Sequence, residues 1–137
     1  MRLRSREGSV LRSKDKAFRR LLSELSEGDA AIVVEGKRDR DALRRMGITN
    51  QIFLINQKPD IVAERVAKTA HTAIVLTDFD RKGEELCLRI TSALEGCSVK
   101  PDLDVRRKLK YLFGVRFFEE LDRKVEEFQE KLEEIER

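Results

Sequence analysis

The sequence predicts an α/β fold built on a parallel sheet, on three observations. Short apolar runs rich in β-branched residues recur at 30–34, 51–55 and 73–77. The stretches between them carry apolar residues at helical spacing. Two of the three runs end directly in carboxylates, where an open parallel sheet gathers its functional groups.

The elements follow in order. Ala17, Phe18, Leu21, Leu22 and Leu25 mark one face of an N-terminal helix. Residues 30–34, Ala-Ala-Ile-Val-Val, read as a buried parallel strand, since such strands are near-continuous apolar runs. Asp39 to Met46 reads as a short helix, with Gly47 as its C-terminal cap. Residues 51–55 form the second strand. Pro59 then opens a helix, because its fixed φ suits the first helical position. Ile61, Val62, Val66 and Ala70 give that helix its apolar stripe, and His71 sits at its expected end, favourable for the helix dipole. Residues 73–77 form the third strand. Gly83 to Leu94 forms the next helix, with Leu86, Ile90 and Leu94 four apart and Gly96 closing it. A β-α-β-α-β-α order implies parallel strands joined by right-handed crossovers.

The C-terminal part reads as helical. Leu103, Leu109, Leu112 and Phe113 suggest one helix after Pro101, and Gly114 offers a break. Phe118, Leu121, Val125, Phe128, Leu132 and Ile135 recur three or four apart. That seam is too short for a coiled coil. It suits a helix packed on its own domain or, alternatively, one that pairs with a second copy of the chain.

Composition narrows the function. The chain has 137 residues, one domain's worth, with 40% hydrophobic and 40% charged residues. The charged share is well above the ordinary level of about 25%. Net charge is only +3, which excludes a histone-like polycation. Its distribution is uneven: residues 1–28 carry net +4, 96–116 again +4, and 117–137 net −5. Basic segments attract polyanions through counterion release. No apolar run approaches the roughly 18–20 residues of a membrane span, and the basic N-terminus lacks the apolar stretch of a secretory signal. The expectation is a cytoplasmic protein with no membrane partner. Cys87 and Cys97 lack the paired spacing of a zinc site and read as reduced thiols.

The first strand runs into Glu35-Gly36-Lys37-Arg38 and the third into Asp78-Phe79-Asp80-Arg81-Lys82-Gly83. If those strands are neighbours, three carboxylates converge. Asp78 and Asp80, two apart, point the same way in extended backbone. A hard divalent cation relieves their repulsion, and Mg²⁺ needs only a few oxygen ligands because it keeps several waters. Lys37, Arg38, Arg81 and Lys82 follow directly and suit a phosphoryl group. Gly36 and Gly83 would let backbone pass close to a ligand. Acids at strand ends also serve as helix N-caps, the alternative reading of Asp-x-Asp.

Val33-Val34-Glu35-Gly36-Lys37-Arg38-Asp39 together with Leu76-Thr77-Asp78-Phe79-Asp80-Arg81-Lys82-Gly83 resembles the Toprim domain. That is the catalytic fold of topoisomerases, bacterial-type primases, recombination-repair proteins and old-family nucleases. The wording is most similar to small stand-alone Toprim proteins and to the ribonucleases that mature 5S ribosomal RNA. The resemblance covers roughly residues 29–100. It implies a Rossmann-like three-layer fold with a parallel sheet of about four strands, here with a basic helical extension at 1–28 and another helical extension at 101–137. It also implies that Glu35 is a metal ligand, a general acid/base or both, that Asp78 binds metal directly, and that Asp80 completes a site for one or two Mg²⁺ ions, replaceable by Mn²⁺. Gly36 and Gly83 match the family's turn glycines, and Lys37 fits its Gly-Lys wording.

Several activities of such proteins are set aside. Tyr111 lies in a basic helix with no strand-passage module around it, there are no template-binding or zinc modules, and no G-x-x-x-x-G-K-[ST] loop marks an ATPase. The expectation is a Mg²⁺-dependent nuclease on structured RNA or DNA. The alternative is a nucleic-acid-binding module, non-catalytic or dependent on a protein partner, whose basic surface combines Arg106, Arg107, Lys108 and Lys110 with the N-terminal arginines. A third reading is a metal-binding structural domain that forms a homodimer through its last helix. The sequence has no aromatic-rich stacking platform of the kind single-strand binders use, which favours a duplex or structured substrate.

Overall fold

The computed structural model describes the backbone of residues 2–136 and the side chains of residues 6–136. The elements are α1 (Arg2–Glu27), β1 (Ala31–Val34), α2 (Lys37–Arg45), β2 (Ile52–Leu54), α3 (Pro59–Ala67), β3 (Thr72–Leu76), α4 (Arg81–Gly96), β4 (Lys100–Asp102), α5 (Asp104–Phe113), a 3₁₀ turn (Phe118–Glu120) and α6 (Leu121–Glu136). The four strands form one parallel sheet in the order β2-β1-β3-β4.

Alternation along the strands divides the core between the sheet's two faces. Ile32, Val34, Ile74 and Leu76 point to one face, packing with Phe18, Leu21 and Leu25 of α1, Leu43 of α2, Val105, Leu109 and Leu112 of α5, and Leu121 and Val125 of α6. Ala31, Val33, Ala73 and Val75 point to the other, against Val62 and Val66 of α3 and Ile90 and Leu94 of α4. The result is the three-layer α/β architecture expected. The segments read as extensions, 1–28 and 101–137, supply most of one helical layer. The Phe18, Phe113 and Phe128 rings stack edge-on at 4.8 and 5.3 Å, joining α1, α5 and α6. The apolar seam of α6 is used inside the chain: Leu121, Val125 and Leu132 are buried.

Element boundaries differ in ways that have causes. Helix α2 starts at Lys37 rather than Asp39, because the Asp39 side chain accepts the Gly36 N–H and stabilises the first turn from within. Helix α4 starts at Arg81 rather than Gly83, with Asp80 as its cap. The edge strand β4 is a Lys-Pro-Asp segment without apolar pattern; proline is tolerated there because an edge strand can lack one N–H. His71 lies past the end of α3, and its carbonyl accepts the Lys100 N–H at 2.8 Å, tying β4 to the sheet. Gly47 adopts φ 84° and Gly114 φ 63°, the left-handed conformation that ends α2 and α5. Cys87 and Cys97 are free thiols. Among the described residues, no helix is long and apolar enough to cross a membrane.

Candidate functional site

Strands β1 and β3 are neighbours in register, with Val34 opposite Leu76, so the segments leaving them emerge side by side. Glu35 follows β1 and Asp78 lies one residue beyond the buried Thr77 after β3. The Asp78 main-chain N–H donates to Glu35 Oε2 at 2.7 Å. Asp80 caps α4, its Oδ1 accepting the Gly83 N–H at 2.8 Å. Asp78 Oδ1 accepts the Phe118 N–H at 2.8 Å, a bond that reaches in from the C-terminal segment. Glu35, Asp78 and Asp80 each offer one carboxylate oxygen, and these oxygens lie within 4.8 Å of one another. The N-cap reading of Asp80 is therefore realised, and the same carboxylate also stands in the acidic cluster.

A fourth acid stands behind the three. Asp39 is buried, and its Oδ2 accepts the Gly36 N–H at 3.0 Å. Burial pushes its carboxyl above the ordinary aspartate range, and the charges of Glu35 and Glu119 push the same way. Asp78 is pushed up to about 7, chiefly by burial; the Phe118 N–H opposes this, and Asp39, Glu35 and Asp80 add to it. Among the described residues, no ion pair includes Glu35, Asp39, Asp78 or Asp80. Backbone N–H groups hold these carboxylates in place without neutralising them.

The two glycines differ. A Cβ at Gly83 would lie 2.1 Å from the Asp78 carbonyl oxygen and 2.5 Å from its carbon, so only glycine lets α4 start against the end of β3. Gly36 has extended backbone and open space around its Cα, so the expected need for glycine is absent there.

Arg106 corrects another expectation. Its place in the basic run 106–110 predicts a surface cation, but its side chain is 8% exposed. Its Nε donates to the Thr77 carbonyl at 2.8 Å and its Nη2 to the Asp78 carbonyl at 2.7 Å; it also pairs with Glu84. Its guanidinium lies 4.0 Å from the Phe79 ring centroid. Arg106 is thus a strut that braces the backbone carrying Asp78 and has no free face for a polyanion.

The other expected cations lie at the surface. Lys37 and Arg38 begin α2, Arg81 and Lys82 begin α4, and all four are exposed. Arg38 lies 3.8 Å from Glu119 and Arg81 3.6 Å from Glu85. On α5, Arg107 pairs with Asp104, Lys108 is exposed, and Lys110 Nζ lies 4.7 Å from the Phe79 ring centroid. Sequence reasoning missed Asp39, although its position three residues after the cap Gly36 is the spacing at which a side chain reaches back. It also missed Phe118, for which a contact across 40 residues leaves no local signal. An open cleft of about 820 Å³ lies at the opposite ends of the strands, beside Asp29, Asn50 and His71, away from the acids.

No family model matches the chain. It is 40% identical over 95 residues to a UPF0292 protein of Thermococcus gammatolerans, covering 69% of this chain and 71% of that one. It is 35% identical over 107 residues to a UPF0292 protein of Methanosarcina barkeri, covering 75% of each. Among solved structures it is similar to a putative protein from Aquifex aeolicus, with a TM-score of 0.65, 25% identity, and coverage of 72% of this chain and 93% of that one. At this identity and coverage, the chain belongs to the UPF0292 family.

Proposed function

We propose that the chain is a Toprim-type, Mg²⁺-dependent phosphoryl-transfer enzyme, a nuclease acting on structured RNA or DNA. One observation carries the reading: three carboxylates with oxygens within 4.8 Å, at adjacent strand ends, without a cationic partner among the described residues. Like charges held so close, with Asp78 pushed up to about 7, favour a divalent cation. The donors are all oxygen, which suits Mg²⁺ or Mn²⁺ and not a soft metal. Glu35, Asp78 and Asp80 would hold it. When bound, such an ion polarises a phosphoryl oxygen and lowers the pKa of a bound water.

The chain's own groups do the rest. Lys37 and Lys82, at the starts of α2 and α4, offer ammonium groups to non-bridging phosphate oxygens, and both helix N-termini favour negative charge. Glu35 keeps its Oε1 outside the bond to the Asp78 N–H and can hold or move a proton there. Arg106 and the Phe118 N–H keep Asp78 oriented.

The test is a cleavage assay on structured RNAs, duplex DNA and single-stranded DNA with Mg²⁺, Mn²⁺ or EDTA. The control is Asp78→Asn/Asp80→Asn, in which both asparagines keep an oxygen for the Phe118 and Gly83 N–H groups. Metal-dependent cutting lost in the double variant is expected. Equal cutting by the variant contradicts the reading. Salt-sensitive binding without cutting replaces it with a binding module that needs a partner.

A further inference from the structure

Tyr111, the chain's one tyrosine, is 76% exposed although it sits on a helix whose opposite face is core. Its buried neighbours on α5 are Val105, Leu109 and Leu112, so packing does not require an aromatic ring at this outward position. Arg107 and Lys108 precede it by four and three residues and share its face. From α1, Lys14 Nζ lies 5.6 Å from the ring centroid, within cation–π range. One lysine leaves the ring largely in solvent.

The position of Tyr111 relative to the acids gives it a role. Lys110, the preceding residue, lies over Phe79, which directly follows Asp78. Lys110 thus joins α5 to the residue that follows Asp78, and Tyr111, the next residue of α5, carries Lys14 over its ring. None of Lys14, Lys108 and Lys110 takes part in an ion pair among the described residues, so their charges are available. A ring open to solvent and flanked by free ammonium groups is the equipment for a nucleobase with its two phosphates. We infer that Tyr111 is a single stacking site for an unpaired base in a loop or at a frayed end of the structured substrate, with Lys14, Lys108 and Lys110 on the adjoining phosphates; a short single strand is the probe for such a base. The inference rests on the nucleic-acid reading above and adds to it an unpaired segment of the substrate and the side of approach.

The experiment measures binding of a short fluorescein-labelled adenine oligonucleotide and of a blunt duplex, in EDTA, to wild type, Tyr111→Ala and Tyr111→Phe. Because the chain has no tryptophan, Tyr111 is also its reporter of intrinsic emission. Tyr111→Ala should weaken single-strand binding about tenfold, the order of one base–aromatic stack, with duplex binding little changed. Tyr111→Phe should bind as wild type does, and an unlabelled single strand should quench wild-type tyrosine emission. Single-strand binding that leaves the emission unchanged and is indifferent to Tyr111→Ala overturns this inference alone, as does wild type that binds only duplex. Wild type that binds neither polymer overturns the nucleic-acid reading as well.

Discussion

The main-chain N–H of Asp78 donates to the carboxylate of Glu35 across the gap between β1 and β3. The bond ties the two strand ends and sets one acid's position by the other's backbone. Replacing Glu35 therefore separates charge from structure. Glu35→Gln keeps a carbonyl acceptor and should fold with near wild-type stability, whereas Glu35→Ala should lose about 1 kcal/mol with the bond. Both should lose metal-dependent activity. Denaturant titration beside the cleavage assay distinguishes the two effects.

Gly83 and Gly36 should respond oppositely to alanine. At Gly83 the added methyl meets the Asp78 carbonyl at 2.1 Å, and backbone cannot yield cheaply, so a loss on the order of 1–3 kcal/mol or more is expected, together with displacement of Asp78. At Gly36 nothing is met, and the cost should stay below about 1 kcal/mol, the weaker capping preference of alanine. Thermal or denaturant melting of the two variants checks this.

Arg106 is predicted to matter through Asp78. Arg106→Leu leaves the Thr77 and Asp78 carbonyls without their side-chain donor, at a cost of roughly 2–4 kcal/mol. Lys108→Ala, on the exposed face of the same helix, should change stability by less than about 0.5 kcal/mol. Equal stability of the two variants would contradict the strut.

Protonation of Asp78 sets a pH dependence. The folded chain holds this proton up to about pH 7, whereas an unfolded aspartate releases it near 3.8. Between those values the folded state carries the extra proton, so this group's contribution to metal-free stability is greatest below the lower value and declines as pH rises to about 7. Asp39, raised by burial, acts in the same direction. Asp78→Asn should therefore gain on wild type over that window in denaturant melts without metal. Divalent cations compete with the proton, so the stabilisation they give wild type should grow as pH rises through about 7.

How far residues announced these features depended on whether the cause was local. β1 and β3 were legible because both faces are buried, which leaves unbroken β-branched runs such as Ala31–Val34. β4 was not, because Lys100, Pro101 and Asp102 owe their pairing to the edge of β3. Glu35, Asp78 and Asp80 were legible as strand-end carboxylates. The burial of Arg106 was hidden in a run of basic residues and depended on helix phase: it lies beside the Val105, Leu109 and Leu112 stripe that α5 turns inward. Phe118 acts through its backbone N–H, to which side-chain identity gives no clue.

On the proposed reading, Glu35, Asp78 and Asp80 form a divalent-cation site. The decisive experiment is an electron paramagnetic resonance titration of Mn²⁺ into metal-free wild type and into Asp78→Asn/Asp80→Asn. Saturable binding by wild type, displaced by Mg²⁺ and lost in a double variant that still melts cooperatively, is the predicted result. A double variant that binds Mn²⁺ as wild type does, or a wild type that binds none, contradicts it.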